Sequence, residues 1–408
     1  MYRKVEHSQT LFINTQTKKM VDQNKEVFRF GFGQSPFMPP QNVQSALREA
    51  IGHKEYSSVQ GDPELREHIA RFHFEHNGLR TRAEDVLVGP GSKILIFTLL
   101  MAVQEADVLI PAPAWVSYGP QAQLAGHHVI TLPTSYEKRW RITVEALHRA
   151  VKSKKFANTI LILNYPGNPD GLTYSREELM EISQVARTHR IIVVSDEIYG
   201  LLHHQNSHLS FAAFYPERTI TTTGLSKWCG AGGWRLGAAL LSEGLEPALK
   251  EALLGIGSET YSCAPVPVQM AAKVAYQDYK KIKPYISRQT QILKTIGNYC
   301  CEKLVTARIK VHPPEGGFYL FLDFSEWKDR LEKRGITTSN ELCSALLEEK
   351  GVVLLPSEAF GFEPSFLGAR LAYVDFDEPH EEESFVIKTH APKISGGIQA
   401  LVEWVGDL

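Results

Sequence analysis

The stretch TILILNYPGNPDGLTYSREELMEISQVARTHRIIVVSDEIYG (159–200) decides the fold. Its outer pieces, TILILN (159–164) and IIVVS (191–195), are short aliphatic and β-branched runs that read as strands. Between them REELMEISQVARTHR (176–190) sets Leu179, Ile182, Val185 and Ala186 at helical spacing. Ser175, with Glu178 three residues on, predicts a capping box at its start. Strand, helix, strand in that order argues for parallel strands joined by a crossover. Working outward, VLV (86–88), VLIP (108–111), HVITLP (128–133) and TITTT (219–223) repeat the pattern. The expected fold is α/β: a three-layer large domain with a mostly parallel sheet, plus a smaller α+β domain from the two chain ends.

Beyond Pro265–Pro267 the pattern changes. A long helical stretch, broken near Pro284, is expected to run to about Leu304. KVHPPEGGFYLFLDF (310–324) alternates like a strand. A helix over Ser339–Lys350, then VVLLP (352–356) and RLAYVDF (370–376), reads as a βαβ-like tail. The charged segment DEPHEEESFVIKTHAPK (377–393) reads as a surface insertion. These features divide the chain into an N-terminal arm with part of the small domain (1–45), a large domain (46–300) and a small C-terminal domain (301–408).

The 408 residues carry 44 Lys plus Arg against 46 Asp plus Glu, a formal net charge of −2. That balance argues against a nucleic-acid binder, which carries a basic excess. Apolar residues at 43% and charged residues at 22% argue against a disordered chain. Five cysteines, an odd number without a CxxC pair, argue against a disulfide framework and for a reducing compartment. MYRKVEHSQTLFINTQ (1–16) has no apolar signal core, and no apolar run approaches the ~20 residues of a membrane helix. The expected setting is cytoplasmic, with no membrane partner.

In a sheet of this kind ligands bind beyond the carboxyl ends of the strands. After VLV comes GPGSK (89–93), whose Gly91, Ser92 and Lys93 open a helix and offer free backbone N–H groups to a phosphate. It is not a Walker loop. After VLIP comes Trp115, a core aromatic or a stacking surface for a planar ring. After TILILN comes Asn168, a ligand donor or simply a turn residue. After IIVVS come Asp196, a strand-end carboxylate or helix cap, and Tyr199. After TITTT come Ser226, Lys227 and, eight residues on, Arg235. Taken singly each is ordinary. In this order they supply what a pyridoxal phosphate site requires. The site needs an amine for a Schiff base with the aldehyde, a carboxylate for the pyridine nitrogen, an aromatic for the ring, and a helix start with an arginine for the phosphate.

NYPGNPDG (164–171), SDEIYG (195–200) and SKWCGAGGWRLG (226–237) together resemble the fold-type I, class I/II aminotransferases, from about Ser8 to about Phe376. The resemblance implies that Lys227 carries the cofactor and then moves the substrate proton. It gives Asp196, Tyr199, Asn168 and Trp115 to the cofactor ring, and Gly91, Ser92, Lys93, Ser226 and Arg235 to its phosphate side. It gives Arg370, in GARLAYV, to the substrate α-carboxylate, with Gly33, in FGFGQSPF, beside it and Trp115 and Asn168 lining the substrate side. Tyr56 would reach the phosphate of a neighbouring subunit, which implies a homodimer. The reaction implied is ping-pong transfer of an amino group from an L-amino acid to a 2-oxo acid.

Two positions depart from the commonest pattern: Gly224 stands where many relatives have Ser, and Ser35 where relatives often have Pro. Tyr261 occupies the place of an arginine that one subgroup uses for a distal carboxylate. Lys93 and Ser8 match positions of a prokaryotic-type aspartate subgroup, which points to aspartate or glutamate as one substrate. Alternatives are an aromatic or neutral amino-acid aminotransferase, or a C–S β-lyase with the same residues. A metallohydrolase would draw on His203, His204 and His208, or on His68, His73 and His76, but no HExxH accompanies them. No bound metal is expected.

Overall fold

The computed structural model describes residues 26–242, 244–379 and 383–408, with Thr17, Met20 and Asp22 ahead of them. In chain order the strands are β1 (Phe28–Arg29), β2 (Val86–Gly89), β3 (Ala106–Pro111), β4 (His128–Leu132), β5 (Asn158–Asn164), β6 (Ile192–Asp196), β7 (Thr219–Gly224), β8 (Gly237–Leu241), β9 (Tyr319–Asp323), β10 (Val352–Val353), β11 (Leu355–Pro356) and β12 (Gly368–Ala372). Seven of them form the main sheet in the order β2-β8-β7-β6-β5-β3-β4. β3 to β7 pair in parallel, whereas β8 runs antiparallel to both its neighbours, β2 and β7.

β2, β3, β5 and β6 of this sheet are buried along nearly their whole length, which explains their apolar runs. The faces are sealed by two apolar clusters. Leu161, Leu163 and Val193 meet Leu179, Ile182 and Val185 of the helix Arg176–Thr188 on one side. On the other, Val108, Ile110 and Ile160 meet Leu95, Ile96 and Leu99 of the helix Ser92–Ala102. The capping box forms as expected: Glu178 N donates to Ser175 Oγ at 3.2 Å, and Ser175 N to Glu178 Oε2 at 2.7 Å.

The chain ends build a second unit. β9, β12 and β11 form an antiparallel sheet, and β1 pairs in parallel with β10. The expected βαβ-like tail is therefore corrected: VVLLP splits between two sheets, and β12 lies antiparallel between β9 and β11. Of 310–324 only Tyr319–Asp323 is strand, buried throughout rather than alternating, because helices and loops cover both its faces. Pro284 does not break a helix. It sits in the second turn of Tyr279–Thr306, where it forfeits one backbone bond. The break falls at Gln277–Asp278, where the Asp278 carboxylate accepts from Lys280 N and Lys281 N and starts a new helix. In the expected insertion, Ile387–His390 is helical, a further helix starts at Pro392, and Phe385 stacks on His390 at 5.5 Å. Residues 380–382 lie outside the described residues.

Candidate active site

The parallel strands end along one edge of the sheet, and a cavity of about 410 Å³ opens there. Gly33, Ser92, Lys93, Trp115, Asn168, Asp196, Tyr199, Ser226, Lys227, Arg235 and Arg370 all line it. Topology brings them together: in the main sheet Ser92, Lys93, Trp115, Asn168, Tyr199, Ser226 and Lys227 follow strand ends, Asp196 ends β6, and Arg235 precedes β8, the strand that runs the other way, while Gly33 follows β1 and Arg370 lies within β12. Gly91 sits just behind the lining. Tyr56 lies apart and 87% exposed. Ser8 lies outside the described residues.

Register fixes the floor of the cavity. Asn164, Asp196 and Thr222 stand side by side on β5, β6 and β7. Asn164 Nδ2 donates to the Asp196 carbonyl at 2.8 Å, and Thr222 Oγ1 to Asp196 Oδ1 at 3.0 Å. Tyr118 Oη donates to Asp196 Oδ2 at 2.6 Å. Burial pushes the Asp196 carboxyl up to about 6, against the hydrogen bonds from Tyr118 and Thr222 that favour its charged form.

Gly91 and Arg235 form one wall. Gly91 has φ +91°, and a Cβ there would lie 2.2 Å from Arg235 Nη2. The space a side chain would fill is occupied by the guanidinium, beside the start of the helix Ser92–Ala102. No side chain caps that helix, so its first N–H groups are not taken up by the cap residue. Arg235 is held in a left-handed conformation, φ 60°, with Nη1 donating to the Gly232 carbonyl at 2.7 Å. Lys93 Nζ sits 5.1 Å over the Trp115 ring. Burial and then the charge of Arg235 lower the Lys93 pKa.

The opposite wall comes from the second unit. Arg370 is 1% exposed; its Nη2 donates to the Gly31 carbonyl at 2.6 Å and its Nη1 to Asn168 Oδ1 at 3.1 Å. Its Nε has no partner, and among the described residues no carboxylate pairs with it. Between the walls, Lys227 Nζ donates to the Gly33 carbonyl at 3.0 Å and sits 5.4 Å over each of the Tyr199 and Phe318 rings.

The family model for aminotransferase class I and II matches residues 25–374. The chain is 34% identical to an aspartate aminotransferase of Bacillus sp. (strain YM-2), over 87% of this chain and 89% of that one. It is 31% identical to an asparagine–oxo-acid transaminase of Streptococcus mutans, over 88% and 90%. The structure superposes on a Thermus thermophilus aspartate aminotransferase solved with maleate at a TM-score of 0.85, with 26% identity, covering 98% of this chain and 97% of that one.

The chain belongs to the class I and II aminotransferases.

This aminotransferase is therefore a transaminase that depends on pyridoxal phosphate. Its cavity fits that group on the structure's own terms. The Gly91–Arg235 cradle and open helix start suit a phosphate, Asp196 is a buried acceptor for a ring nitrogen, and Lys227 presents an amine between them.

Sequence reasoning missed Tyr118, Thr222, Asn164 and Tyr319, all of which line the cavity or bond its residues. Thr222 carried a signal, a polar residue in a strand buried on both faces. Tyr118 and Tyr319 carried none, since their roles depend on packing. The candidate histidines do not gather as metal ligands; no metal-binding group of side chains occurs among the described residues. His208 Nε2 instead meets Glu197 Oε2 at 2.8 Å, behind Asp196.

Proposed function

We propose that this aminotransferase moves the amino group of a dicarboxylic L-amino acid, aspartate or glutamate, to a 2-oxo acid in a ping-pong cycle. The observation that carries the reading is Arg370: a guanidinium buried without a carboxylate partner, on the cavity that holds the Lys227 amine. A buried charge without a counter-charge is costly, which suits this position to an incoming anion. Lys93 and Arg235 add two more cationic groups to the same cavity. The three together match a phosphate and two carboxylates, and relatives bearing the name aspartate aminotransferase support that count.

Bound pyridoxal phosphate supplies an aldehyde for the amines and a ring that accepts the electron pair released at the substrate Cα. In the proposed assignment, Asp196 holds the ring nitrogen, with Tyr118 and Thr222 fixing the carboxylate's orientation. Tyr199 and Asn168 address the ring oxygen, and Trp115 covers the ring. Ser92, Ser226, Arg235 and the Gly91 turn hold the phosphate. Arg370 grips the α-carboxylate, with the Gly33 backbone beside it, and Lys93 takes the distal carboxylate. Freed Lys227 Nζ would move the proton from the substrate Cα to the carbon of the cofactor's former aldehyde, and move one back the other way in the second half-reaction. We assign Tyr56 to a second subunit's site in a homodimer. Its 87% exposure, with Ile51 nearby at 82%, supports a surface that another copy covers.

The test is a donor screen on the cofactor-loaded protein with 2-oxoglutarate as common acceptor. Aspartate should lead, with parallel double-reciprocal plots. A leading aromatic or neutral donor overturns the dicarboxylate reading. Pyruvate and ammonia released from a cysteine S-conjugate with no 2-oxo acid acceptor added would make the protein a β-lyase.

A further inference from the structure

Tyr319 stands where three parts of the site meet, and nothing above gives it a role. It is the first residue of β9 and 2% exposed. Phe321, two residues on, shares its face of the strand and pairs in register with Arg370 on β12. Arg370 and Tyr319 are therefore diagonal neighbours on one face, and the guanidinium lies 4.7 Å over the Tyr319 ring. The ring's hydroxyl faces the other way. It lies 3.0 Å from Tyr199 Oη and 3.4 Å from the Gly33 carbonyl oxygen. A Cβ on Gly33 would fall 1.9 Å from that hydroxyl, so the glycine lets the loop come this close. The groups facing Tyr319 are Arg370, Tyr199 and, across the Gly33 carbonyl, Lys227.

We propose that Tyr319 is a positioning residue of the transamination site: its ring seats Arg370, and its hydroxyl relays one hydrogen bond between Tyr199 and the Gly33 loop. This rests on the function proposed above. The argument is a proton count. Each hydroxyl has one O–H, and the Gly33 carbonyl only accepts. With no acceptor in front of Tyr199, its O–H donates to Tyr319, whose own O–H donates to Gly33. When Tyr199 turns its O–H to an acceptor in the cavity, its oxygen takes the Tyr319 O–H instead, and the Gly33 carbonyl loses one of its two donors. The loop beside Arg370 thus senses what Tyr199 holds. In the same arrangement the donation from Tyr319 strengthens Tyr199 as a donor.

The experiment compares wild type, Tyr319→Phe and Tyr319→Leu. In Tyr319→Phe the ring remains, so KM for the amino acid should stay within about threefold, whereas Tyr319→Leu should raise it about tenfold or more as the ring under Arg370 is lost. The visible-absorbance titration of the cofactor-loaded Tyr319→Phe enzyme should move upward by about half a pH unit, because a ring oxygen held less firmly by Tyr199 keeps a shared proton longer. Without cofactor, amide exchange of the peptide spanning residues 30–37 should be faster in Tyr319→Phe than in wild type, and adding pyridoxal phosphate should narrow the difference. An unmoved titration together with unchanged exchange would overturn the relay. Equal KM in the Phe and Leu variants would overturn the seat. The exchange comparison needs no turnover, so it judges the relay even if the donor screen defeats the dicarboxylate or transamination reading.

Discussion

Arg370 Nη1 donates to Asn168 Oδ1 at 3.1 Å, although the two lie 202 residues apart in the chain. The bond ties the antiparallel sheet of the second unit to the loop after β5 in the main sheet. It also fixes the plane of the guanidinium, leaving in-plane donors such as Nε, which has no partner, for one more acceptor, the proposed α-carboxylate. A lysine keeps the charge but not the fork. Arg370→Lys should therefore raise KM for both the amino acid and the 2-oxo acid about 10- to 100-fold, the scale of a lost charged hydrogen bond. The absorbance of the loaded cofactor should be unchanged, since Arg370 is not among the groups proposed to hold it. Steady-state kinetics on both half-reactions, with a spectrum of each preparation, checks this.

Lys93 is the residue to which we assign substrate choice. Its amine rests over Trp115 rather than in bulk water, and burial and Arg235 already disfavour its charge. A second substrate carboxylate would restore what the cation lacks. Lys93→Ala is expected to cut kcat/KM for aspartate about 10- to 100-fold, while alanine and tyrosine change by no more than about threefold. Uniform losses across all donors would remove Lys93 from side-chain recognition.

Asp196 gives a pH dependence whose sign can be worked out. Its carboxyl titrates at about 6 in the fold against an ordinary value of 3.8. In the cofactor-free protein the folded state therefore binds more protons than the unfolded chain between these values. The group's contribution is fully present below about pH 4 and is lost as pH rises through 6, a swing of about 3 kcal/mol. Asp196→Asn cannot titrate. Without cofactor it should gain stability relative to wild type between pH 4 and pH 7, read by urea unfolding at both. With cofactor it should retain the absorbance but lose about 100- to 1,000-fold in transamination, because the ring nitrogen has lost its anionic partner. Retained activity would contradict the proposed role.

Most of the main sheet was legible because β2, β3, β5 and β6, largely buried, read as apolar runs, and the loops after β2, β3, β5, β6 and β7 carried the candidate site residues; β8 gave no such signal and went unread. The helix Ser339–Lys350 was equally legible from its ends, where Thr338 and Glu341 form a second capping box and Gly351 turns left-handed. The second unit was less so. VVLLP reads as one strand, yet Val352–Val353 pairs with β1 and Leu355–Pro356 with β12, and nothing local marks the change of partner. The site divides the same way. Asp196, Lys227 and Arg235 stand at strand ends, where position alone makes them candidates. Tyr319 lies inside an apolar run, and its neighbours Arg370, Tyr199 and Gly33 arrive from distant segments. Only the folded chain brings them together.

Gly224 closes β7 beside the proposed cofactor amine, and the backbone itself accounts for the missing side chain. A Cβ there would lie 2.7 Å from the Leu236 carbonyl oxygen and 2.9 Å from Gly237 Cα, both main-chain atoms that no rotamer change can move. Restoring the serine that many relatives carry should therefore harm this protein. Gly224→Ser is expected to destabilise it by about 1–3 kcal/mol, the range for overpacking a filled site, and to lower Tm accordingly. It should bring no gain in cofactor affinity, because the hydroxyl would come with a displaced strand. The hydroxyl for the phosphate side is assigned instead to Ser226, which lines the cavity two residues on. Ser226→Ala should leave Tm within about a degree and weaken pyridoxal phosphate binding by about tenfold, the worth of one hydrogen bond to a charged group. Thermal unfolding of the two cofactor-free variants, followed by cofactor titration, separates the effects. A Gly224→Ser protein as stable as wild type and tighter for the cofactor would show that β7 and β8 can part to admit a side chain.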